Sequence, residues 1–205
     1  MNALEARGLA GTRGDVRLFR DISFSVGAGE WMEVRGANGS GKTTLLRAVA
    51  GLTRLDAGEI RWNDRPVREA AEDFHAALLY AGHAPAVKDE LTVEENLRAL
   101  LALRNVPAEA ARVDEALQRV GLAKRRHLPA RRLSAGQRRR IGMARLALDP
   151  APLWILDEPL TALDADGEAL FNALLGQHVA NGRTAVIATH QALAAKPARA
   201  LRLGA

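Results

Sequence analysis

Gly36-Ala37-Asn38-Gly39-Ser40-Gly41-Lys42-Thr43, with Thr44 behind it, is the stretch that decides how this chain folds. It fits the pattern G-x-x-x-x-G-K-[ST] in the context that gives the pattern meaning. Trp31-Met32-Glu33-Val34 precedes it as a short strand. Lys42 to Gly51 follows it as a helix, with Leu45, Leu46 and Val49 on one face. Glycines let the backbone curl until several N–H groups point at one anion, where a side chain would block the phosphates. The helix N-terminus adds a partial positive charge. Gly36, Ala37, Asn38, Gly39, Ser40, Gly41, Lys42, Thr43 and Thr44 are therefore the expected nucleotide-binding residues. Lys42 would reach the β- and γ-phosphates, and the Thr43 hydroxyl would ligate Mg²⁺.

A phosphate loop needs a carboxylate from a second strand. Leu153-Trp154-Ile155-Leu156-Asp157-Glu158 supplies one, as an apolar strand that ends in two acids. A strand apolar on both faces is buried, and its carboxyl end is where ligands sit in open α/β sheets. Asp157 would hold Mg²⁺, directly or through water. Glu158 would polarise an attacking water as general base. Taken alone, two acids after a strand also fit a helix cap or a surface turn.

The rest of the chain frames these two motifs. Strands are expected at Leu4 to Leu9, Arg17 to Val26, Gly58 to Trp62, Ala76 to Tyr80 and Thr184 to Ala188, with a turn at Gly27-Ala28-Gly29. Between about residues 84 and 133 the pattern is helical. Thr92-Val93-Glu94-Glu95 is a capping box, Pro107 opens the next helix, and Gly121 closes it. Further helices run from Ala135 to Leu148 and from about Ala165 to Val179. Strands alternating with helices give the fold class α/β with a mostly parallel core. An N-terminal antiparallel β part and a helical insertion complete a single domain over 1–205.

Composition bounds the chemistry. The 205 residues suffice for one domain with a proper core. There is no cysteine, which excludes disulfides and thiolate catalysis. The N-terminus, Met1 to Arg7, carries no apolar run of signal type, and no stretch has the ~20 uncharged apolar residues of a spanning helix. If the protein serves a membrane, another chain does the spanning. The net charge is +5, with basic clusters at Lys124-Arg125-Arg126, Arg131-Arg132 and Arg138-Arg139-Arg140. Such clusters fit solvated helix faces, nucleic acid or anionic lipid. No aromatic residue interleaves with them, as single-strand binding would want.

Leu133-Ser134-Ala135-Gly136-Gln137 resembles the signature of the ATP-binding cassette family, Leu-Ser-Gly-Gly-Gln, and opens a helix as that signature does. Thr161-Ala162-Leu163-Asp164 resembles the family's D-loop, and His190 after Thr184 to Thr189 its switch histidine. With the phosphate loop and the acidic strand end, five elements stand in family order over nearly the whole chain. The resemblance implies a P-loop NTPase fold and an ATPase that hydrolyses ATP with Mg²⁺. It implies a dimer with a second copy, each ATP lying between the phosphate loop of one chain and the signature of the other. Ser134, Ala135, Gly136 and Gln137 would then act in trans, Asp164 would cross the interface, and His190 would hold the γ-phosphate and the attacking water. Singly, Ser134 is a good N-cap and nothing more.

Within the family, Gly82-His83-x-Pro85-x-x-Lys88, Leu4-Glu5-Ala6-x-x-Leu9, Arg13-Gly14, Leu18-Phe19 and Thr189-His190-Gln191 are similar to the haem-exporter ATPases of cytochrome c maturation. That branch implies integral membrane permease subunits as partners, haem or a haem-loaded chaperone as cargo, and a peripheral place on the cytoplasmic face of the bacterial inner membrane. The chain ends soon after His190, so no C-terminal regulatory domain is expected. Transporter ATPases of the family carry a Gln where this chain has none between Leu78 and Leu91, and His83 is the candidate to replace it. The family's base-stacking aromatic is replaced by Arg13. Ala135 replaces a glycine with one small methyl, so activity is expected to survive. The competing reading, a cassette ATPase acting on nucleic acid, rests on charge alone, since long coiled coils, cysteine-zinc modules and a second cassette are all absent. No nucleic-acid partner is expected.

Overall fold

Alternation of buried and exposed residues organises the first part of the chain. In β1 (Leu4–Arg13) the side chains of Leu4, Ala6 and Leu9 are buried while their neighbours face outward. β1 pairs antiparallel with β2 (Val16–Val26) on one side and β4 (Ala57–Trp62) on the other. The short β5 (Arg65–Pro66) extends this sheet to the order β2-β1-β4-β5. The computed structural model describes residues 3–204; Met1, Asn2 and Ala205, the ends of the expected domain and of the N-terminal stretch, lie outside the described residues.

The second sheet is parallel throughout. Its strands are β3 (Trp31–Arg35), β6 (Leu78–Ala81), β7 (Leu153–Asp157), β8 (Thr184–Ala188) and β9 (Arg199–Arg202), in the order β6-β7-β8-β3-β9. Every residue of β7 and β8 is buried, as expected of inner strands covered on both faces. α1 (Lys42–Val49) lays Leu45, Leu46 and Val49 into the core they share with Leu4, Leu9, Val34, Ile155 and Val186. At about 1.5–3 kcal/mol per fully buried large aliphatic side chain, this cluster is the main force that joins the two sheets.

Two compact units divide the chain. The first holds Met1–His83, Ala151–Pro159 and Gly176–Ala205, and so both sheets. The second holds Ala84–Pro150 and Leu160–Leu175. It contains α3 (Val93–Ala102), α4 (Ala110–Arg119) and α5 (Ala135–Leu148), and α6 (Ala165–Ala180) begins in it. The helical unit is thus larger than the expected 84–133. α5 belongs to it because α5 packs on α3 and α4, and all three bury apolar side chains, Ile141 and Ala144 from α5, Leu97 and Leu101 from α3 and Leu117 from α4. Asp149, fully buried, pairs with Arg104 at 2.7 Å and lies 3.8 Å from Arg145. The capping box at Thr92 is present, with Glu95 N–H donating to Thr92 Oγ1 at 3.2 Å and Thr92 N–H to Glu95 Oε2 at 2.8 Å.

Two local expectations are corrected. Ala76 and Ala77 are not strand but the end of α2 (Ala71–Ala77), and β6 begins at Leu78. The helix is fixed by Phe74, fully buried and edge-on to Trp62 at 6.5 Å, a contact with no periodic signature in the sequence. Pro107 does not open α4, which starts at Ala110 behind Glu109. Glu109 is extended at φ −58 and ψ 137, so the first bond of the helix is Val113 N–H to the Glu109 carbonyl at 3.0 Å, past Pro107.

The first unit also buries a histidine. His178 stacks on Trp154 with ring centroids 3.7 Å apart, and its neutral Nε2–H donates to the Thr184 carbonyl at 3.0 Å. Burial pushes the imidazole down from 6.5 to about 4, against the pull of that carbonyl. The unfolded chain therefore takes the proton first. Stability is complete above pH 6.5 and declines as the pH falls through 4, by about 3 kcal/mol in all. His178→Phe, which keeps a ring on Trp154, should flatten this acid limb. Urea midpoints measured across the window would check it, and an unchanged slope in the variant would exclude His178 as the cause.

Candidate functional site

The parallel register brings three strand ends level. Val34 of β3 pairs with Ala188 of β8, and Ala188 pairs with Asp157 of β7. The glycine-rich loop leaves β3 just past Val34 and enters α1 at Lys42. Gly41, the residue before the helix, has φ +96, and a Cβ there would stand 2.9 Å from the Leu18 Cβ. Only glycine meets both demands without strain. The Ser40 N–H donates to the Ala37 carbonyl at 3.1 Å and tightens the turn. Lys42 is 8% exposed; its ammonium donates to the Gly36 carbonyl at 2.8 Å and to the Ala37 carbonyl at 3.3 Å, so its charge sits across the mouth of the loop.

Four further groups converge there. Thr43 Oγ1 donates to Asp157 Oδ2 at 2.7 Å, and Asp157 is 2% exposed. Glu158 follows with φ +49, an unusual conformation for a residue with a side chain. The Glu158 N–H donates to the Ala188 carbonyl at 2.8 Å, which extends the β7–β8 ladder one residue past the strand. The turn sends the Glu158 carboxylate between two cationic or protonatable groups. Oε1 lies 4.0 Å from Lys42 Nζ, and Oε2 lies 2.9 Å from His190 Nδ1. The Glu158 side chain is 12% exposed, whereas that of His190 is 67% exposed. Tyr80, the only tyrosine, went unmarked as a site residue in the sequence. Burial and the negative charge of Asp157 raise its phenol above the usual range.

Other expected residues stand apart from this cluster. Arg13 closes β1 opposite Val16 and is exposed at the hairpin end. His83 is exposed two residues beyond β6. Asn38 and Gly39 are exposed on the loop, and Thr44 is half-buried in the first turn of α1.

The second unit carries the remaining residues in one concavity of about 500 Å³, lined by Gly121, Ser134 to Gln137, Arg140 and Asp164. Ser134 caps α5. Its Oγ accepts from the Gln137 N–H at 3.2 Å, and the Gln137 side chain accepts from the Ser134 N–H at 3.1 Å. Gly136 lies so close to Ala162 that a Cβ would stand 2.5 Å from the Ala162 carbonyl oxygen, so this glycine is required by space. Ala135, by contrast, is exposed, and its methyl fits. Asp164 accepts from the Gly167 N–H at 2.9 Å and from Arg140 Nη2 at 2.5 Å, and these two donors hold its carboxyl below the usual range. Arg140 also donates to the Val120 carbonyl at 3.1 Å. Sequence reading placed Arg140 in a basic run and did not foresee this tie.

Comparison with known proteins agrees with the geometry. A family model described as ABC transporter matches residues 19–161. The chain is 49% identical over 188 residues to the cytochrome c biogenesis ATP-binding export protein CcmA of Methylococcus capsulatus, covering 92% of this chain and 91% of that one. It is 45% identical over 202 residues to the protein of the same name from Pseudomonas aeruginosa, covering 98% of this chain and all of that one. Among solved structures, an ABC transporter ATP-binding protein from Pyrococcus furiosus matches with a TM-score of 0.85 at 24% identity, over 98% of this chain and 97% of that chain, a likeness of fold. CbiO1 from Clostridium perfringens, part of the ABC transporter complex CbiONQ, matches with a TM-score of 0.74 at 25% identity, over 93% and 80%. A glycine loop closed by a lysine, an acidic strand end beside it and a serine-capped helix thus stand on a shared fold, and the chain belongs to the ABC transporter family as one of its ATP-binding ATPase subunits.

Proposed function

We propose that this chain is the ATPase of an export complex for c-type cytochrome biogenesis, and that two copies close on two ATP molecules to drive membrane permease subunits. The observation that carries the catalytic part is the Glu158 carboxylate between Lys42 and His190. The export part rests on the CcmA relatives, which are named for that role. Haem or a haem-loaded chaperone is the cargo that this branch suggests. No helix among the described residues is long and apolar enough to cross a membrane, so the place at the cytoplasmic face of the bacterial inner membrane comes through the permease.

The residues fit a magnesium ion. Thr43 and Asp157 offer hard oxygen donors 2.7 Å apart. Magnesium in nucleotide sites asks for one or two protein oxygens beside phosphate and water, not a cage of carboxylates. When bound, Mg²⁺ neutralises charge on the β- and γ-phosphate oxygens. Lys42 would exchange the Gly36 and Ala37 carbonyls for phosphate oxygens. Glu158 would take a proton from water as the water oxygen attacks the γ-phosphorus and the bond to the β-phosphate oxygen breaks. His190, at 2.9 Å, would hold that carboxylate in place.

The signature helix would complete the site from the second copy. Ser134 Oγ accepts from Gln137, which leaves its O–H free to donate to a γ-phosphate oxygen. The N–H groups of Ala135 and Gly136 in the first turn of α5 are free in the same sense, as helix starts leave them. Asp164 would reach across the interface from its tie to Arg140. His83 would sense the nucleotide in place of the missing Gln, and Arg13 would meet the base.

Glu158→Gln should bind ATP and trap a dimer while turnover falls about 10²- to 10⁴-fold. Size-exclusion chromatography with ATP and a phosphate-release assay would show this, and turnover near the parent rate would remove Glu158 from its role. Asp157→Asn should raise the Mg²⁺ concentration for half-maximal hydrolysis about ten- to a hundredfold. A Mg²⁺ titration at saturating ATP tests it, and an unshifted curve would count against the assignment. Because a guanidinium plane stacks on any base, GTP should compete within about tenfold of ATP. A larger preference for ATP would exclude Arg13 as the base platform.

A further inference from the structure

Positive charge is concentrated in one segment. Residues 116–148 contain ten lysines and arginines and no aspartate or glutamate, so the rest of the chain is net acidic. The structure sorts these cations. Arg126 pairs with Glu94 at 2.7 Å and Asp114 at 2.6 Å, and Arg138 with Asp89 at 2.9 Å. Arg140 is held by Asp164, and Arg145 lies near Asp149. Lys124, Arg125, Arg131 and Arg132 are different. All four are exposed, and among the described residues none has a carboxylate in ion-pair contact.

The four are also held together. They occupy two 3-10 turns, Ala123–Arg125 and Ala130–Arg132, on either side of an isolated bridge between Pro129 and Thr92. The backbone between the turns is laced to the start of α3. Val93 N–H donates to the Leu128 carbonyl at 3.1 Å, Glu94 N–H to Arg126 at 3.0 Å, and Ala130 N–H to Leu91 at 2.8 Å. Ala130 itself is fully buried. The cations therefore project from a fixed support, and little backbone entropy is lost when an anionic surface engages them.

We infer that this ridge binds the anionic phospholipid headgroups of the membrane at which the ATPase works. The inference rests on the transport reading above. Three of the four cations are guanidinium groups, whose fork matches phosphate oxygens. Nucleic acid fits less well. No Phe, Trp or Tyr occurs between Tyr80 and Trp154, so the ridge has no ring on which a base would stack. Two exposed acids nearby have no ion pair among the described residues, Glu90 beside Asp89 and Glu95 in the first turn of α3, and they leave the balance positive.

The test is flotation of the purified full chain with vesicles of phosphatidylglycerol and phosphatidylcholine, or of phosphatidylcholine alone. Binding should require phosphatidylglycerol and weaken as salt screens the charges. Lys124→Gln, Arg125→Gln, Arg131→Gln and Arg132→Gln together should weaken it on the order of a hundred- to a thousandfold at low salt, with ATP hydrolysis in solution retained. Equal flotation with neutral vesicles, salt-independent binding, or unchanged binding by the quadruple variant would overturn the proposal. Tighter, variant-sensitive binding to a DNA or RNA fragment than to vesicles would also overturn it. Loss of ATP turnover in the parent chain with flotation intact would instead point to failure of the transport reading, so the two failures are distinguishable.

Discussion

Everything at the phosphate loop depends on the parallel ladder that sets Val34, Ala188 and Asp157 side by side. Side chains alternate along a strand, so a slip of one residue in β7 would turn Asp157 to the opposite face and away from Thr43. The ladder is secured by burial, since β7 and β8 have no exposed residue. It is then extended past the strand by the bond from Glu158 N–H to the Ala188 carbonyl. Beyond that bond the chain turns through φ +49 at Glu158, which costs about 1–3 kcal/mol for a residue with a side chain. The cost is offset by a buried sheet that overdetermines the turn. What the turn achieves is the direction of one carboxylate, toward Lys42 and His190.

The helical unit shows the same economy on a smaller scale. Gly136 is placed against Ala162, and Ala162 has φ +66. Here a strained alanine and a sterically required glycine meet, so the chain after β7 and the tip of α5 fit one another closely. Arg140 makes the coupling polar as well, through Asp164 and the Val120 carbonyl. A displacement of residues 162–164 would therefore be felt at the tip of α5, because both sides of the contact have no slack.

How much of this was legible follows from the kind of signal each feature leaves. The loop, the acidic strand end and the capped helices are local patterns, and the structure has them where residue spacing puts them. Asp157 and Glu158 needed only an apolar run with two acids at its end. β9 left no such signal: Arg199 to Arg202 is held to β3 by its backbone, with only Leu201 half-buried. α2 was hidden for a related reason, since one buried Phe74 gives no periodicity. The tie between Arg140 and Asp164 joins residues from separate segments, and a single sequence carries no mark of it. Neither did Tyr80 announce itself, because a tyrosine at a strand end is ordinary until Asp157 stands beside it.

The basic runs make the same point about charge. Lys124-Arg125-Arg126 reads as one cluster, yet Arg126 is spent on Glu94 and Asp114 while its two neighbours face solvent. Arg138 and Arg140, two residues apart on one helix, take partners in different places, Asp89 and Asp164. A count of cations therefore overstates what is available to a partner. What remains after pairing is smaller but better defined: four exposed charges on two turns whose backbone is fixed to α3. A flexible tail of equal charge would lose more entropy on meeting an anionic surface. The rigid support, more than the net charge of the chain, is what distinguishes this ridge from an ordinary solvated face.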